Sequence, residues 1–212
     1  MNKIKTAALI AAFSAIASGA DAEVLMEQSV NTHRSQGDVT TVSGATARLQ
    51  KNEAGIFVSL DTMSLKPQHI YTMWMAVVNA PGACESAPCS VKDVLKRTDI
   101  VQADVGYAGG AFADADGKLK LSHFQANGAL SHSWFGRGLT DNAAAEVHLI
   151  VQDHGPVIPG REAEMLGNYR GGCTDASIPG PMPDSARAMG NVGPYTCAMV
   201  QDVIFVAGAA EG

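Results

Sequence analysis

The chain has 212 residues, 46% of them apolar, and carries 15 Lys and Arg against 21 Asp and Glu for a net charge of −6. That balance excludes a nucleic-acid partner and a polybasic membrane-surface protein, because both need clustered cations. The length and apolar fraction fit one domain with a real hydrophobic core.

The first 22 residues have the three parts of a secretory signal peptide. Lys3 and Lys5 precede an apolar run from Ala7 to Ile16, and Ala20-Asp21-Ala22 supplies the cleavage site. The run falls short of the about 20 residues that a membrane-spanning helix needs. Residues 1–22 are therefore expected to be removed before Glu23, leaving residues 23–212 as a single exported domain, periplasmic or extracellular. That domain has 190 residues, 13 basic and 20 acidic, for a net charge of −7. No cysteine stands at the cleavage site and the tail from Val203 to Gly212 is short, so no membrane anchor is expected.

Strand signals dominate from there on. Ala45 to Lys51 alternates, Asn52-Glu53-Ala54-Gly55 supplies a turn, and Ile56, Val58 and Leu60 resume the period of two, which predicts a hairpin. His69 to Val78 is apolar on both faces and predicts a central strand ending at Asn79-Ala80-Pro81-Gly82. Ser90 with Asp93 three residues on predicts a short capped helix, with Val91, Val94 and Leu95 on one face and Lys96 and Arg97 at its C-terminal end.

Val101 to Gly109 and Lys118 to Phe124 read as two strands joined across Asp114-Ala115-Asp116-Gly117. Ala145 to Gln152 reads as a strand that His154-Gly155-Pro156 breaks, and Arg161 to Leu166 as a short helix. Tyr169 to Tyr195 lacks periodicity, and Thr196 to Val206 predicts a last strand. The expected fold is mainly β, a single antiparallel β-sandwich or barrel with one or two short helices in its connections.

Four cysteines in an exported domain predict disulfides, and four allow three connectivities. Local closure favours Cys84–Cys89 and Cys173–Cys197, the second contributing about 3 kcal/mol on the chain-entropy argument. A zinc site using Cys84, Cys89 and histidines is the rival reading, which export disfavours.

No G-x-S-x-G, H-E-x-x-H, P-loop or dinucleotide fingerprint is present. Glu146 and His148 share one face of a predicted strand, where alternation alone predicts a solvated surface. Met73 and Met75 also share a face and read as core filler rather than copper ligands. Asp114 and Asp116 resemble the start of a calcium loop that lacks its remaining acidic positions, so a turn suffices. Asp141, Asp153, Asp175 and Asp184 are candidate carboxylates for acid–base work with no pattern that brings them together. Trp134 and Phe135 form an apolar pair in a Gly-flanked loop, a candidate contact point.

The stretches Tyr71-Thr72-Met73-Trp74, Asn79-Ala80-Pro81 leading to Cys84, Ala145 to Val151, His154-Gly155-Pro156 and Gly171-Gly172-Cys173 together resemble a family of exported bacterial β-rich proteins with no assigned activity, over most of Tyr71 to Val206. The resemblance implies export and disulfides and brings no catalytic or ligand residue. His154-Gly155-Pro156 followed by Leu166-Gly167-Asn168 is faintly similar to copper-zinc superoxide dismutase, but the His-x-His copper pair of those enzymes is absent.

The leading expectation is a non-catalytic binding or interaction module for a ligand or protein partner, without a cofactor. It would work through loops at one end of the sheet, with Trp134, Phe135 and Gly171 to Tyr195 as contacts. The alternative is a copper or zinc protein with His123, His132, His148 and His154 as ligands and Glu146 behind them. A hydrolase using converging carboxylates and His148 is the third reading.

Overall fold

Strands of alternating burial make up most of the chain. The computed structural model describes residues 24–206, and the signal peptide expected over residues 1–22 lies outside them. Eight strands, β1 (Val24–Thr32), β2 (Thr41–Asn52), β3 (Gly55–Thr62), β4 (His69–Val78), β5 (Ala103–Phe112), β6 (Leu119–Ala126), β7 (Glu146–Pro156) and β8 (Ala198–Phe205), pair antiparallel in the order β5-β4-β7-β8-β1-β2-β3-β6. The sheet is nearly closed and barrel-like, with β5 and β6 packed beside each other at its two ends.

The β2–β3 hairpin forms as the alternation predicts, with Lys51 opposite Ile56 and Leu49 opposite Val58. β4 is buried along nearly its whole length, as its two apolar faces require. The turn between β5 and β6 also forms, because Asp114 Oδ1 accepts from the amides of Asp116 and Lys118. Yet β6 pairs with β3 and not with β5, so the expected local ladder is missing and the sheet stays open between these two end strands.

Two further expectations need correction. β7 does not break at His154-Gly155-Pro156 but runs through to Pro156. Gly155 permits this: its φ is +84°, and a Cβ there would stand 2.6 Å from the Tyr195 ring, so only glycine fits. Among the described residues four short α-helices are present where one or two were expected: α1 (Val91–Lys96), α2 (Thr98–Val101), α3 (Glu162–Gly167) and α4 (Asp184–Arg187). α1 carries the predicted capping box between Ser90 and Asp93. α4 lies inside the segment expected to be structureless.

The two faces of the sheet are both covered. The inner face holds one apolar cluster that includes Leu49, Val58, Met73, Met75, Val147, Leu149 and Phe205, so Met73 and Met75 are core residues. At about 1.5–3 kcal/mol for each large side chain fully buried, this interior dominates stability. The outer face of β4, β5 and β7 carries a second cluster built around Trp74, Val105, Trp134 and Tyr169. It is roofed by α1, by the loop after β6 and by the segment after α3.

Candidate functional site

Each element of that roof is held by a buried polar side chain of the sheet, Glu146 and His154 from the outer face of β7 and Asp104 from the opposite side of the edge strand β5. Glu146, 2% exposed, accepts from the Cys89 amide at 2.7 Å through Oε1, which also meets His148 Nε2 at 2.7 Å. This ties the Cys84–Cys89 disulfide loop to β7. At the other side of that loop Asp93 is fully buried. Burial alone would raise its pKa, but amides of Glu85 and Ser90, the Ser90 hydroxyl and the Arg97 guanidinium hold it far below the usual carboxylate range.

Asp104, also fully buried, organises the loop after β6. It accepts from the amides of Val105, Phe135 and Gly138 and from the Ser133 hydroxyl. With the Trp134 amide bonded to the Val105 carbonyl at 2.8 Å, these contacts set the Trp134 ring against Trp74 and Tyr169, with centroids 5.7 and 4.9 Å away.

His154 anchors the third element. Its Nδ1 lies 2.8 Å from the Gly171 carbonyl, which only accepts, so Nδ1 carries the proton. Nε2 then accepts from the Thr72 hydroxyl at 2.7 Å, and that oxygen accepts from Trp74 Nε1 at 2.9 Å. Burial lowers the His154 pKa to about 4, despite the Gly171 carbonyl and Asp153 acting against it, so the ring is neutral. Gln152 Nε2 donates to the Tyr169 carbonyl at 2.9 Å, and the Cys173–Cys197 disulfide fastens the same segment to the start of β8.

Between these three attachments lies a cavity of about 690 Å³. Its floor is the outer face of the sheet at Ala76, His148, Ile150 and Ile204, and its aromatic side is Trp74, Trp134 and Tyr169. A smaller cleft of about 170 Å³ adjoins it through Ser35, Tyr169, Pro179 and Met199. Among the described residues, five side chains have a buried polar atom without a hydrogen-bond partner, and Trp134 Nε1, Tyr169 Oη and Gln152 Oε1 are three of them. Trp134 and Tyr169 line the cavity and Gln152 lines the cleft, with these three atoms buried behind the surface of their walls.

The opposite side is polar and consists of His33, Arg34, Ser35 and Asp202. β1 and β8 bring these together, with Asn31 opposite Asp202. Burial raises the Asp202 pKa, an effect that His33, His148 and Arg34 counteract, and burial lowers that of His33. Ser35 Oγ lies 2.8 Å from His33 Nδ1, but that nitrogen also accepts from the Ser35 amide and caps a 3-10 turn, Arg34–Gln36. The Ser35 hydroxyl also bonds to the Met199 carbonyl at 3.0 Å. The pair is explained as turn chemistry.

The candidate residues named from sequence fall in different places. Trp134 is 8% exposed and lines the cavity from the loop after β6, and Phe135 packs in the same cluster. Cys84–Cys89 and Cys173–Cys197 pair as expected. His148 lies on the cavity floor with its side chain 13% exposed, so the face it shares with Glu146 is roofed over, not solvated.

His123 is opposite Val58, hence on the barrel side of the sheet, and His132 lies in the loop after β6 against Tyr107. His148 and His154 share a face of β7 but stand six residues apart, about 20 Å along a strand. The four histidines do not converge. Among the described residues, the one set of three His, Cys, Asp or Glu ligand atoms within 4.8 Å is His154, Cys173 and Cys197. There the two sulfurs are bonded to each other and both imidazole nitrogens are engaged. The carboxylates are also dispersed: Asp153 bonds to His69, Asp175 pairs with Arg170, Asp141 caps the turn before β7, and Asp184 begins α4.

Sequence reading missed His33, Asp104, Tyr169 and Asp202. Asp104 left a signal, a lone acid in an apolar strand, whereas His33 and Asp202 meet only through the β1–β8 pairing. Among the described residues no helix is long and apolar enough to cross a membrane. Compared with protein families, characterised proteins and solved structures, the chain matches none.

Proposed function

We propose that the protein is an exported, non-catalytic binding protein that takes a small, mainly apolar ligand in the cavity on the outer face of its sheet. The cavity carries this reading: about 690 Å³, walled by three aromatic rings and aliphatic side chains, with a few polar groups along one side. Ligand sites have this size and composition. The working surface is thus the covered face of the sheet, with Trp134 as a wall, in place of loops at one end. Two disulfides, each fastening part of the roof, favour an oxidising compartment, periplasmic or extracellular. We read the scaffold as a barrel rather than a two-sheet sandwich, because one strand order runs through all eight strands.

The chain has two tryptophans, Trp74 and Trp134, and both line the cavity, so intrinsic tryptophan emission reports on it alone. Titrating the folded protein with 4-phenylbutanol should give a saturable emission change. Ala76→Leu, which extends a floor residue into the space, should abolish it while leaving the thermal transition in place. A protein whose emission does not respond, or an Ala76→Leu variant that responds like the parent, would overturn the reading.

A further inference from the structure

Asp202 differs from the other acidic residues that hold this region together. Asp93 and Asp104 each take two or more hydrogen bonds from the roof, and Glu146 takes one from the Cys89 amide and meets His148 Nε2. Asp202 is partly buried at the polar side of the cavity, and no described residue donates a hydrogen bond to it. Its neighbours across the sheet are Ile150 on β7 and Asn31 on β1. Partial burial raises the Asp202 pKa, so a donor that reached it in the cavity would favour its charged form.

The groups facing it are His33, Arg34 and His148. His33 has its pKa lowered by burial, accepts from the Ser35 amide through Nδ1 and makes no hydrogen bond to Asp202 among the described residues. His148 Nε2 is occupied by Glu146. Arg34 is exposed at the rim, where water solvates it. None of them meets the need of Asp202, and the acidic chain, at −6, favours approach of a cation over an anion.

Resting on the reading of the cavity as a ligand site, we infer that its ligand is an amphiphilic amine. Its protonated nitrogen donates to Asp202, and its apolar, ring-bearing body lies toward Trp74, Trp134 and Tyr169. The two halves of the ligand then correspond to the two sides of the cavity, and the ammonium gives a charge-assisted bond to Asp202, the one acidic residue among those lining the cavity. The aromatic side can also attract the cationic end of the ligand as it enters.

Three probes with one body and different heads test this: 4-phenylbutylamine, 4-phenylbutanol and 4-phenylbutyrate, measured by calorimetry on the folded, disulfide-bonded protein. The amine should bind about tenfold tighter than the alcohol, corresponding to about 1.4 kcal/mol, and the carboxylate weakest. Asp202→Asn should remove the advantage of the amine and leave alcohol binding unchanged, and Asp202→Glu should retain most of it. Because no described donor depends on Asp202, these variants should fold like the parent. Carboxylate binding equal to or tighter than amine binding would overturn the amine assignment while the cavity reading stands. Failure of all three probes to bind or to shift tryptophan emission would overturn both.

Discussion

Leu149 and Ile150 are neighbours on β7, yet Leu149 points into the barrel and is completely buried, whereas Ile150 points outward into the floor of the cavity. The contrast extends to the whole sheet. The inner face is filled by aliphatic side chains, and its polar content is confined to a few satisfied groups. Thr62 bonds to Gln201 at 2.6 Å, and the Lys51 ammonium donates to the Ala145 carbonyl at 2.7 Å. The outer face instead buries Glu146, Gln152 and His154 under a roof that leaves space, with Asp93 inside that roof and Asp104 fastening it from the edge strand β5. Dense packing leaves no room for a ligand, and a roof suspended from specific hydrogen bonds can cover a surface without filling it. The inner face supplies stability, and the outer face trades some of it for a shaped void.

The largest effect expected from this contrast lies inside. Leu149→Ala should cost about 2–5 kcal/mol in urea denaturation, because a packed interior collapses only partly around a lost side chain. It should leave probe affinity unchanged wherever the variant is folded. A loss below about 1 kcal/mol would show that the interior is less tightly filled than the burial of its residues indicates.

His154 comes next, through pH. Its folded pKa of about 4 lies below the ordinary 6.5. Between these values the unfolded chain takes up a proton that the folded one refuses. Stability is therefore fully present above pH 6.5, falls as pH drops through this window by about 3 kcal/mol, and loses nothing further from this group below pH 4. In His154→Gln this part of the pH dependence should vanish. Stability curves of parent and variant that run parallel from pH 7 to pH 4 would refute the buried neutral imidazole.

Asp104→Asn probes the roof itself. An amide offers one acceptor oxygen and sets an NH₂ group against the Gly138 or Phe135 amide, so the loss should be about 2 kcal/mol. The distinguishing result is a red shift of tryptophan emission in the folded variant as Trp134 gains access to water. A destabilised variant with parental emission would mean that Asp104 does not set the position of the ring.

Much of the inner face was legible in the sequence, and little of the outer one. The inward set Ala145, Val147, Leu149 and Val151 announces itself by alternation, and the α1 capping box and both disulfides are local in sequence. Alternation also says that Glu146 and His148 share the other face. It cannot say whether that face meets water or a roof, because the roof comes from segments up to 60 residues away, such as the loop closed by Cys89. Trp134 reads as a loop contact because its flanking glycines mark a loop, and the buried carboxylate that draws the loop inward is 30 residues earlier. The meeting of His33 with Asp202 depends on strand order, which local pattern does not encode.

The smallest expected effect is at His148, which occupies the boundary between the two readings of the outer face. Its ring contacts Glu146 Oε1, and the same oxygen keeps its bond from the Cys89 amide when the ring is removed. His148→Ala therefore leaves no buried carboxylate wholly without a donor and removes one side chain from the floor of an existing space. Stability should change by less than about 1 kcal/mol, as for substitutions that create no unpaired charge and no new closed void. Amine and alcohol probes should still bind, because Asp202 and the aromatic side are untouched. Copper and zinc in protein purified without added metal should be at background in both forms, since His123, His132 and His154 lie elsewhere in the fold. Near-stoichiometric metal in the parent, lost in His148→Ala, would transfer the function of this face from an organic ligand to an ion.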